Sequence, residues 1–208
     1  MDFRVNARLR SRVLTNVELA PAVPGSLAPM TLSRFSPVHA AEDAELVRGA
    51  RAGDEGAFGQ LYQRYVRIVH GILLARVPRT EVDDLVQDVF LVAWHRLDGL
   101  RDPAAFGGWL AQIARNRAID FQRRNPVLAE LPPDLVAHDS TAERAEALRI
   151  LDIVRTLPEA YRETLVLRLV EGLTGPEIAD RTGLTGASVR VNLHRGFKLL
   201  RERLEGRS

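Results

Sequence analysis

Apolar residues recur three or four positions apart along most of the chain after residue 41, which is the spacing of one face of an α-helix. Phe58, Leu61, Tyr62, Tyr65 and Ile68 begin the clearest series, and we interpret them as core despite their aromatic content. Breaks in the pattern predict helices over about 42–52, 55–76, 81–98 and 104–124. The pattern therefore favours an all-α fold.

Local signals indicate where the third and fourth of these helices begin. Thr80 is followed three positions later by Asp83, a spacing that predicts a capping box. Asp102 is predicted to cap the fourth helix, with Pro103 at its first position.

Prolines divide the chain into two helical lobes. Pro126, Pro132 and Pro133 disfavour helix, so residues 125–140 are predicted to be a flexible linker. Thr141 is predicted to cap a helix that reaches about residue 156, and Pro158 to begin another. The sequence thus predicts small helical domains over 41–124 and 141–208.

The end of the second lobe has the signals of a helix-turn-helix. Thr174 and Glu177 form a predicted capping box, so a helix should run to about residue 181. Gly183 breaks it, and Thr185 can cap a second helix that continues to about residue 204. Apolar residues occupy one face of this second helix: Val189, Leu193, Phe197, Leu200 and Leu204.

The opposite face of that helix is polar and basic. Residues 186–208 contain six basic and two acidic side chains, a net charge of about +4, which attracts phosphates. We call this surface the reading face, and we expect it to enter a DNA groove. The alternative is a solvated helix of an ordinary helical bundle. The reading face comprises Ser188, Arg190, Val191, Asn192, Arg195 and Lys198.

The third helix has an acidic outer surface. Residues 80–98 contain five acidic side chains and one arginine, which should repel DNA and attract a basic protein. We define the acidic patch as Asp84, Gln87, Asp88 and Leu91, an apolar residue among polar ones. The alternative is that Leu91 is an ordinary exposed leucine without a partner.

The fourth helix has the opposite charge. Residues 101–124 contain five arginines and two aspartates, with Trp109 and Phe121 among them. Aromatic residues between arginines can stack on unpaired bases. Both also fit a buried stripe, and we interpret them first as core.

The N-terminal segment differs from the rest in composition. Its four prolines and five arginines, with no sustained period, predict that residues 1–40 are an unstructured extension. A transit peptide and a basic arm that touches DNA are the alternatives.

Composition and motifs limit the possible functions. The chain has no cysteine, so a disulfide framework and a thiolate metal site are excluded, and no apolar run is long enough to predict membrane insertion. No nucleotide-binding, nucleophile-elbow or zinc-protease motif occurs, and the five histidines are scattered. We expect a cytoplasmic protein that is not an enzyme and needs no cofactor.

Three stretches in this order resemble the bacterial RNA polymerase sigma factors of the extracytoplasmic-function (ECF) group. They are DDLVQDVFLVAW at 83–94, AFGGWLAQIARNRAIDFQRR at 105–124 and LPEAYRETLVLRLVEGLTGPEIADRTGLTGASVRVNLHRG at 157–196. The resemblance implies that residues 41–124 are sigma domain 2 and that residues 141–208 are sigma domain 4. It implies an alternative sigma factor that directs core RNA polymerase to minus-35 and minus-10 promoter elements.

The resemblance also assigns partners to the surfaces. The acidic patch corresponds to the contact with the clamp helices of the polymerase's largest subunit, and the flap of the second-largest subunit is a further expected contact. The reading face corresponds to the minus-35 contact, and an anti-sigma factor is a candidate partner. Four residues correspond to capture of a flipped minus-10 base: Arg96, Leu100, Arg101 and Asn116.

Some positions depart from the family pattern. Many members have a polar or basic residue where Val191 and Asn192 stand, and Ala-Arg where Gly196 and Phe197 stand. The minus-35 sequence therefore cannot be copied from a relative. A dimeric activator with a similar helix-turn-helix and an adaptor of anti-sigma type are the alternative functions. Co-purification with core polymerase separates both from a sigma factor.

Overall fold

The structure is a computed structural model that describes residues 37–126 and 142–205. Within these ranges it contains eight α-helices and no strand, which confirms the all-α prediction. The first lobe consists of α1 (Pro37–Arg51), α2 (Glu55–Leu74), α3 (Arg79–Arg96) and α4 (Phe106–Arg124). The second lobe consists of α5 (Ala142–Arg155), α6 (Glu159–Leu169), α7 (Gly175–Thr182) and α8 (Gly186–Glu205).

The starts of α1 and α3 differ from the prediction. Helix α1 begins at Pro37, within the segment expected to be unstructured, whereas residues 1–36 lie outside the described part. Helix α3 begins at Arg79, so the predicted Thr80 capping box is wrong. Pro78 occupies the cap position in an extended conformation and already directs the chain into the helix. Thr80 lies inside α3 and donates to the Glu81 carboxylate at 3.2 Å.

The predicted cap of the fourth helix is present, but the turn that it caps is a 3-10 turn and the α-helix begins later than predicted. The Asp102 carboxylate accepts a hydrogen bond from the Ala104 amide at 3.0 Å, as a capping residue should. It caps a 3-10 turn over Pro103–Ala105, however, and α4 begins only at Phe106. This extra turn brings the Phe106 ring into the core, where it is fully buried.

The core of the first lobe forms around α2. Leu61, Ile68 and Ile72 are almost fully buried, as their helical spacing predicted. Tyr65 is buried as well, and its hydroxyl donates to the buried Asp43 carboxylate. Burial, reinforced by the negative charge of Asp43, raises the pKa of the Tyr65 phenol, so the hydroxyl remains a donor.

The second lobe has the predicted order of helices. Helices α5 and α6 pack through apolar faces that include Ile150 and Leu165, and α7 and α8 follow as a helix-turn-helix. The cap predicted at Thr141 and residues 127–140 of the predicted linker lie outside the described residues. None of the described helices combines the length and apolarity that crossing a membrane requires.

The two lobes are in contact and share one cluster of buried residues. Helix α2 packs on α6, and α4 packs on α7. The sequence predicted two separate lobes and gave no indication of this contact.

Candidate nucleic-acid and protein interfaces

The helix-turn-helix is built by the local signals that its sequence contains. Thr174 and Glu177 form a capping box: the Glu177 carboxylate accepts from the Thr174 amide at 2.7 Å, and the Thr174 hydroxyl accepts from the Glu177 amide at 3.4 Å. The hydrogen bonds from the Thr174 amide and hydroxyl lower the pKa of Glu177. Gly183 then ends α7 with φ of 73°, a left-handed conformation that favours glycine.

Helix α8 begins with the predicted cap and is fixed by its inner face. The Thr185 hydroxyl oxygen accepts from the Ser188 amide at 3.1 Å. Val189 and Leu200 are buried beneath the helix. Gly196 is also buried, and a Cβ atom there would lie 3.0 Å from the Leu165 side chain. This close approach to α6 accounts physically for glycine at this position.

The reading face is presented to solvent. Val191 is the exposed apolar member, with 44% of its surface accessible, and Asn192 is half-buried. The remaining members are all exposed: Ser188, Arg190, Arg195 and Lys198. One surface of α8 therefore combines three cations, a hydroxyl, an amide and a methyl-bearing side chain, which are the groups that contact phosphates and base edges.

The acidic patch is exposed on α3 and lies beside aromatic residues. Asp84, Gln87 and Asp88 are exposed, and Leu91 has 57% of its surface accessible. Trp94 follows one helical turn later and is also exposed; its ring centroid lies 4.7 Å from that of Phe58. An apolar strip thus continues the patch toward the end of α3.

One of the predicted core residues is partly on the surface. Tyr62 was interpreted as core, but 39% of its surface is accessible. Its ring still packs on Phe90, with centroids 4.6 Å apart. The helical period could not show whether Tyr62 is buried or exposed, because this residue lies at the edge of the apolar stripe of α2.

The segment between α3 and α4 presents two of its predicted DNA contacts and buries a third. Arg96 and Arg101 are exposed, whereas Leu100 has only 6% of its surface accessible. The segment is held by Arg51 of α1, whose guanidinium donates to the Leu97 carbonyl at 2.8 Å and also to the Leu100 carbonyl. Arg51 could not be identified from the sequence, because its only signal is a basic residue in the last turn of a helix.

Helix α4 presents Asn116 and packs its aromatic residues inward. Asn116 is exposed and accepts a hydrogen bond from the Gln112 amide at 2.9 Å. Trp109 and Phe121 are half-buried against the core, which agrees with the first interpretation of both residues. The Trp109 ring lies 5.9 Å from that of Phe106.

Family models match both lobes in chain order. The model described as Sigma-70 region 2 matches residues 61–126, and the model described as Sigma-70, region 4 matches residues 147–200. The first match contains the acidic patch and α4. The second contains α6, α7 and α8 as far as residue 200.

Several characterised proteins are similar over most of their length. The RNA polymerase sigma factor CnrH of Cupriavidus metallidurans is 35% identical over 178 residues, which cover 74% of this chain and 91% of the relative. The ECF RNA polymerase sigma-E factor of Haemophilus influenzae is 29% identical over 180 residues, 78% of this chain and 95% of the relative. The solved structure of CnrH in complex with the cytosolic domain of CnrY matches with a TM-score of 0.59 at 31% identity, covering 80% of this chain and 99% of that one.

Proposed function

This chain belongs to the ECF group of RNA polymerase sigma factors, and from that premise we propose which of its surfaces bind promoter DNA and which bind polymerase during promoter recognition and transcription initiation. As an alternative sigma factor, it acts with core RNA polymerase on promoter DNA. We assign the minus-35 element to the reading face of α8, and the minus-10 element to the segment before α4 together with Asn116 of α4. We assign core polymerase to the acidic patch of α3.

The exposed reading face is the observation that carries this assignment. Helix α8 is capped at Thr185 and anchored by Val189 and Leu200, so its outer side is held in one orientation. A second helix of a helix-turn-helix that is polar and basic on its outer side fits the major groove. The opposite charge of the acidic patch supports a basic protein, rather than DNA, as its partner.

The minus-10 assignment rests on exposed groups around a fixed segment. Arg96 and Arg101 can bind phosphates, and Asn116 can hydrogen-bond the edge of an unpaired base. Leu100 is buried, so we propose that it anchors the segment while its neighbours contact DNA.

We propose two further protein partners. The clamp helices of the largest polymerase subunit would bind the acidic patch, and the flap of the second-largest subunit would bind the second lobe. The similar CnrH was solved as a complex with the cytosolic domain of CnrY, which supports an anti-sigma partner for this chain as well.

Co-purification with core polymerase tests the proposal. The full chain should bind core enzyme, and the pair Asp84→Arg with Leu91→Arg should weaken binding by a few kcal/mol at most, because it reverses a charge and removes an apolar contact. The matched control is Glu55→Arg, an exposed acidic residue at the start of α2 and outside the acidic surface of α3. Unchanged affinity in a titration of the labelled double variant would remove the acidic patch from the polymerase interface.

A further inference from the structure

Arg51 connects the end of α1 to the segment between α3 and α4. Its Nε and one Nη atom donate to the Leu97 carbonyl at 3.1 and 2.8 Å, and the same Nη atom also donates to the Leu100 carbonyl. Within the described part of the chain, no carboxylate forms an ion pair with Arg51. The charge of this side chain is therefore directed at the backbone of the segment.

The segment is not a continuous helix, and Arg51 contacts it where its direction changes. One 3-10 turn covers Leu97–Gly99, and Leu100 then has an extended conformation. Carbonyls at the end of a helix have no partner within that helix. The Leu97 carbonyl accepts from the Leu100 amide at 3.1 Å as well as from Arg51. The guanidinium thus fixes the point at which the chain leaves the first 3-10 turn.

The two sides of the segment differ in exposure. Leu97 and Leu100 have 3% and 6% of their surfaces accessible and belong to the core. Arg96, Asp98 and Arg101 are exposed. Buried leucines and backbone hydrogen bonds hold the inner side, so the outer side is presented to solvent in one shape.

Helix α1 is itself anchored on α2. Val47 and Ala50 of α1 are buried in the core. Nearer the start of α1, the Asp43 carboxylate accepts from Arg64 at 2.5 Å and from the Tyr65 hydroxyl. Packing and this ion pair therefore fix the helix from which Arg51 reaches the segment.

We infer that Arg51 is a positioning residue for minus-10 recognition: it holds the backbone of the segment between α3 and α4 in the shape that captures an unpaired base. The inference rests on the proposed function, which assigns the minus-10 element to this segment. Arg51 contacts no DNA in this role, because it is half-buried and donates to protein carbonyls.

A segment that is fixed before DNA binds should discriminate better between bases. It loses less conformational freedom on binding than a segment that must first become ordered. It also cannot rearrange to accommodate a wrong base, so the difference in affinity between the right and the wrong base increases. Arg51 should therefore affect base preference at the minus-10 element and leave the minus-35 element unaffected.

Selection from a randomised promoter library measures this effect on the holoenzyme. The full chain bound to core polymerase is mixed with duplexes randomised over both promoter elements, and the bound sequences are determined. The wild-type holoenzyme should enrich particular bases at both elements. Arg51→Ala should reduce the preference for the favoured minus-10 bases roughly 10-fold, the change expected for one hydrogen bond to a charged group. The minus-35 preferences should stay unchanged.

Two further variants separate position from charge. Arg48→Ala is the matched control, because it removes an exposed arginine of the same helix whose partner is Glu45 of that helix, and it should retain all base preferences. Arg51→Lys keeps the positive charge, but lysine lacks the planar fork and ends short of the outer guanidinium nitrogen. Its minus-10 preference should therefore remain well below that of the wild type.

Hydrogen exchange tests the physical cause in the free protein. The amides of residues 97–105 should exchange roughly 10-fold faster in Arg51→Ala than in the wild type, because the segment opens more often. The amides of α2 and α4 should keep their wild-type rates, which also shows that the first lobe remains folded. This measurement needs neither DNA nor polymerase.

Several results would overturn the inference. They are unchanged minus-10 preferences in Arg51→Ala, full restoration by Arg51→Lys, an equal loss at both promoter elements, and exchange that is either unchanged in the segment or faster throughout the first lobe. A wild-type chain that fails to bind core polymerase, or that enriches no promoter sequence with it, would instead contradict the proposed function. The two failures are therefore distinguishable.

Discussion

At the scale of single residues, exposure decides what an apolar side chain contributes. Leu91 and Leu100 belong to the same lobe, yet Leu91 is largely accessible and Leu100 is buried. Burial makes Leu100 a packing residue, whereas exposure makes Leu91 available to a partner. Val191 belongs to the second kind, because it is an accessible β-branched residue among polar neighbours on α8.

We expect Val191 to contact a thymine methyl group in the minus-35 element. Its side chain offers only apolar contact, and the thymine C5-methyl is the apolar group of the major groove. Replacing that thymine with uracil should weaken wild-type binding by about 0.8 kcal/mol, the value of one buried methylene. The same replacement should barely affect Val191→Ala. Binding titrations of wild type and Val191→Ala on the thymine and uracil duplexes form a double-mutant cycle that measures this contact.

A uracil placed outside the minus-35 element serves as the control for the Val191 experiment. Equal losses in wild type and Val191→Ala would exclude the contact.

Asn116 should act after the strands separate. Asn116→Ala is expected to reduce open-complex formation by about threefold to tenfold, the loss of one hydrogen bond, while initial duplex binding stays unchanged. Permanganate footprinting measures the strand opening. Gln112→Ala is the control, because it removes the hydrogen bond to Asn116 without removing the Asn116 amide. Normal opening in Asn116→Ala would show that Asn116 has no part in base capture.

At the scale of elements, α8 has two functions on its two sides. Its inner side, with Val189 and Leu200, fixes its position on the second lobe. Its outer side presents arginines and one lysine, which differ in how they bind DNA. Arginine can donate two hydrogen bonds to guanine, while lysine acts mainly as a point charge toward phosphate.

Arg190 and Arg195 should therefore differ from Lys198. Losing an arginine that contacts a base is expected to cost about 1–3 kcal/mol at one promoter position. Lys198→Ala should weaken binding to all sequences and reduce the salt slope by about 1. Binding measured over a salt series on matched and altered promoters distinguishes the two effects. If the arginine variants weaken every sequence equally, these arginines only position the helix.

Helix positions could largely be predicted from the sequence because their signals are local. The Thr174 capping box, Gly183 and the apolar stripe of α8 all lie within a few residues of the structure they determine. The error at Thr80 has the same origin, since Pro78 two positions earlier supplies a stronger helix start. The exposed surfaces follow from the same periodicity, which is why the exposure of the residues in the acidic patch could be predicted.

The contact between the lobes could not be predicted, because the residues that form it are far apart in the sequence. Glu171 pairs with Arg67 and His70, which lie 104 and 101 positions away, and Arg115 is 48 positions from Glu163. No periodicity connects such distant positions. The one local indication is that Glu163 within α6 and Glu171 just after its end stand among apolar residues, and that pattern alone does not identify their partners.

At the scale of the whole molecule, the shared core should make the two lobes unfold together. Trp94 and Trp109 both lie in the first lobe, so tryptophan fluorescence reports that lobe alone, whereas far-ultraviolet dichroism reports helices of both. We expect the two urea transitions to coincide in the wild type. They should separate in a double variant, Glu163→Gln with Glu171→Gln, because it removes the ion pairs between the lobes. Separate transitions in the wild type would show that the lobes are independent.

Lys198 has a chemical consequence that follows from its position on α8. It is the only lysine of the chain, and it is exposed on the reading face. An amine-selective acylating reagent should therefore modify a single side chain, and that side chain lies where DNA is expected to bind. Such a modification removes the positive charge, so one covalent step would neutralise the lysine of the minus-35 surface and leave every arginine unchanged.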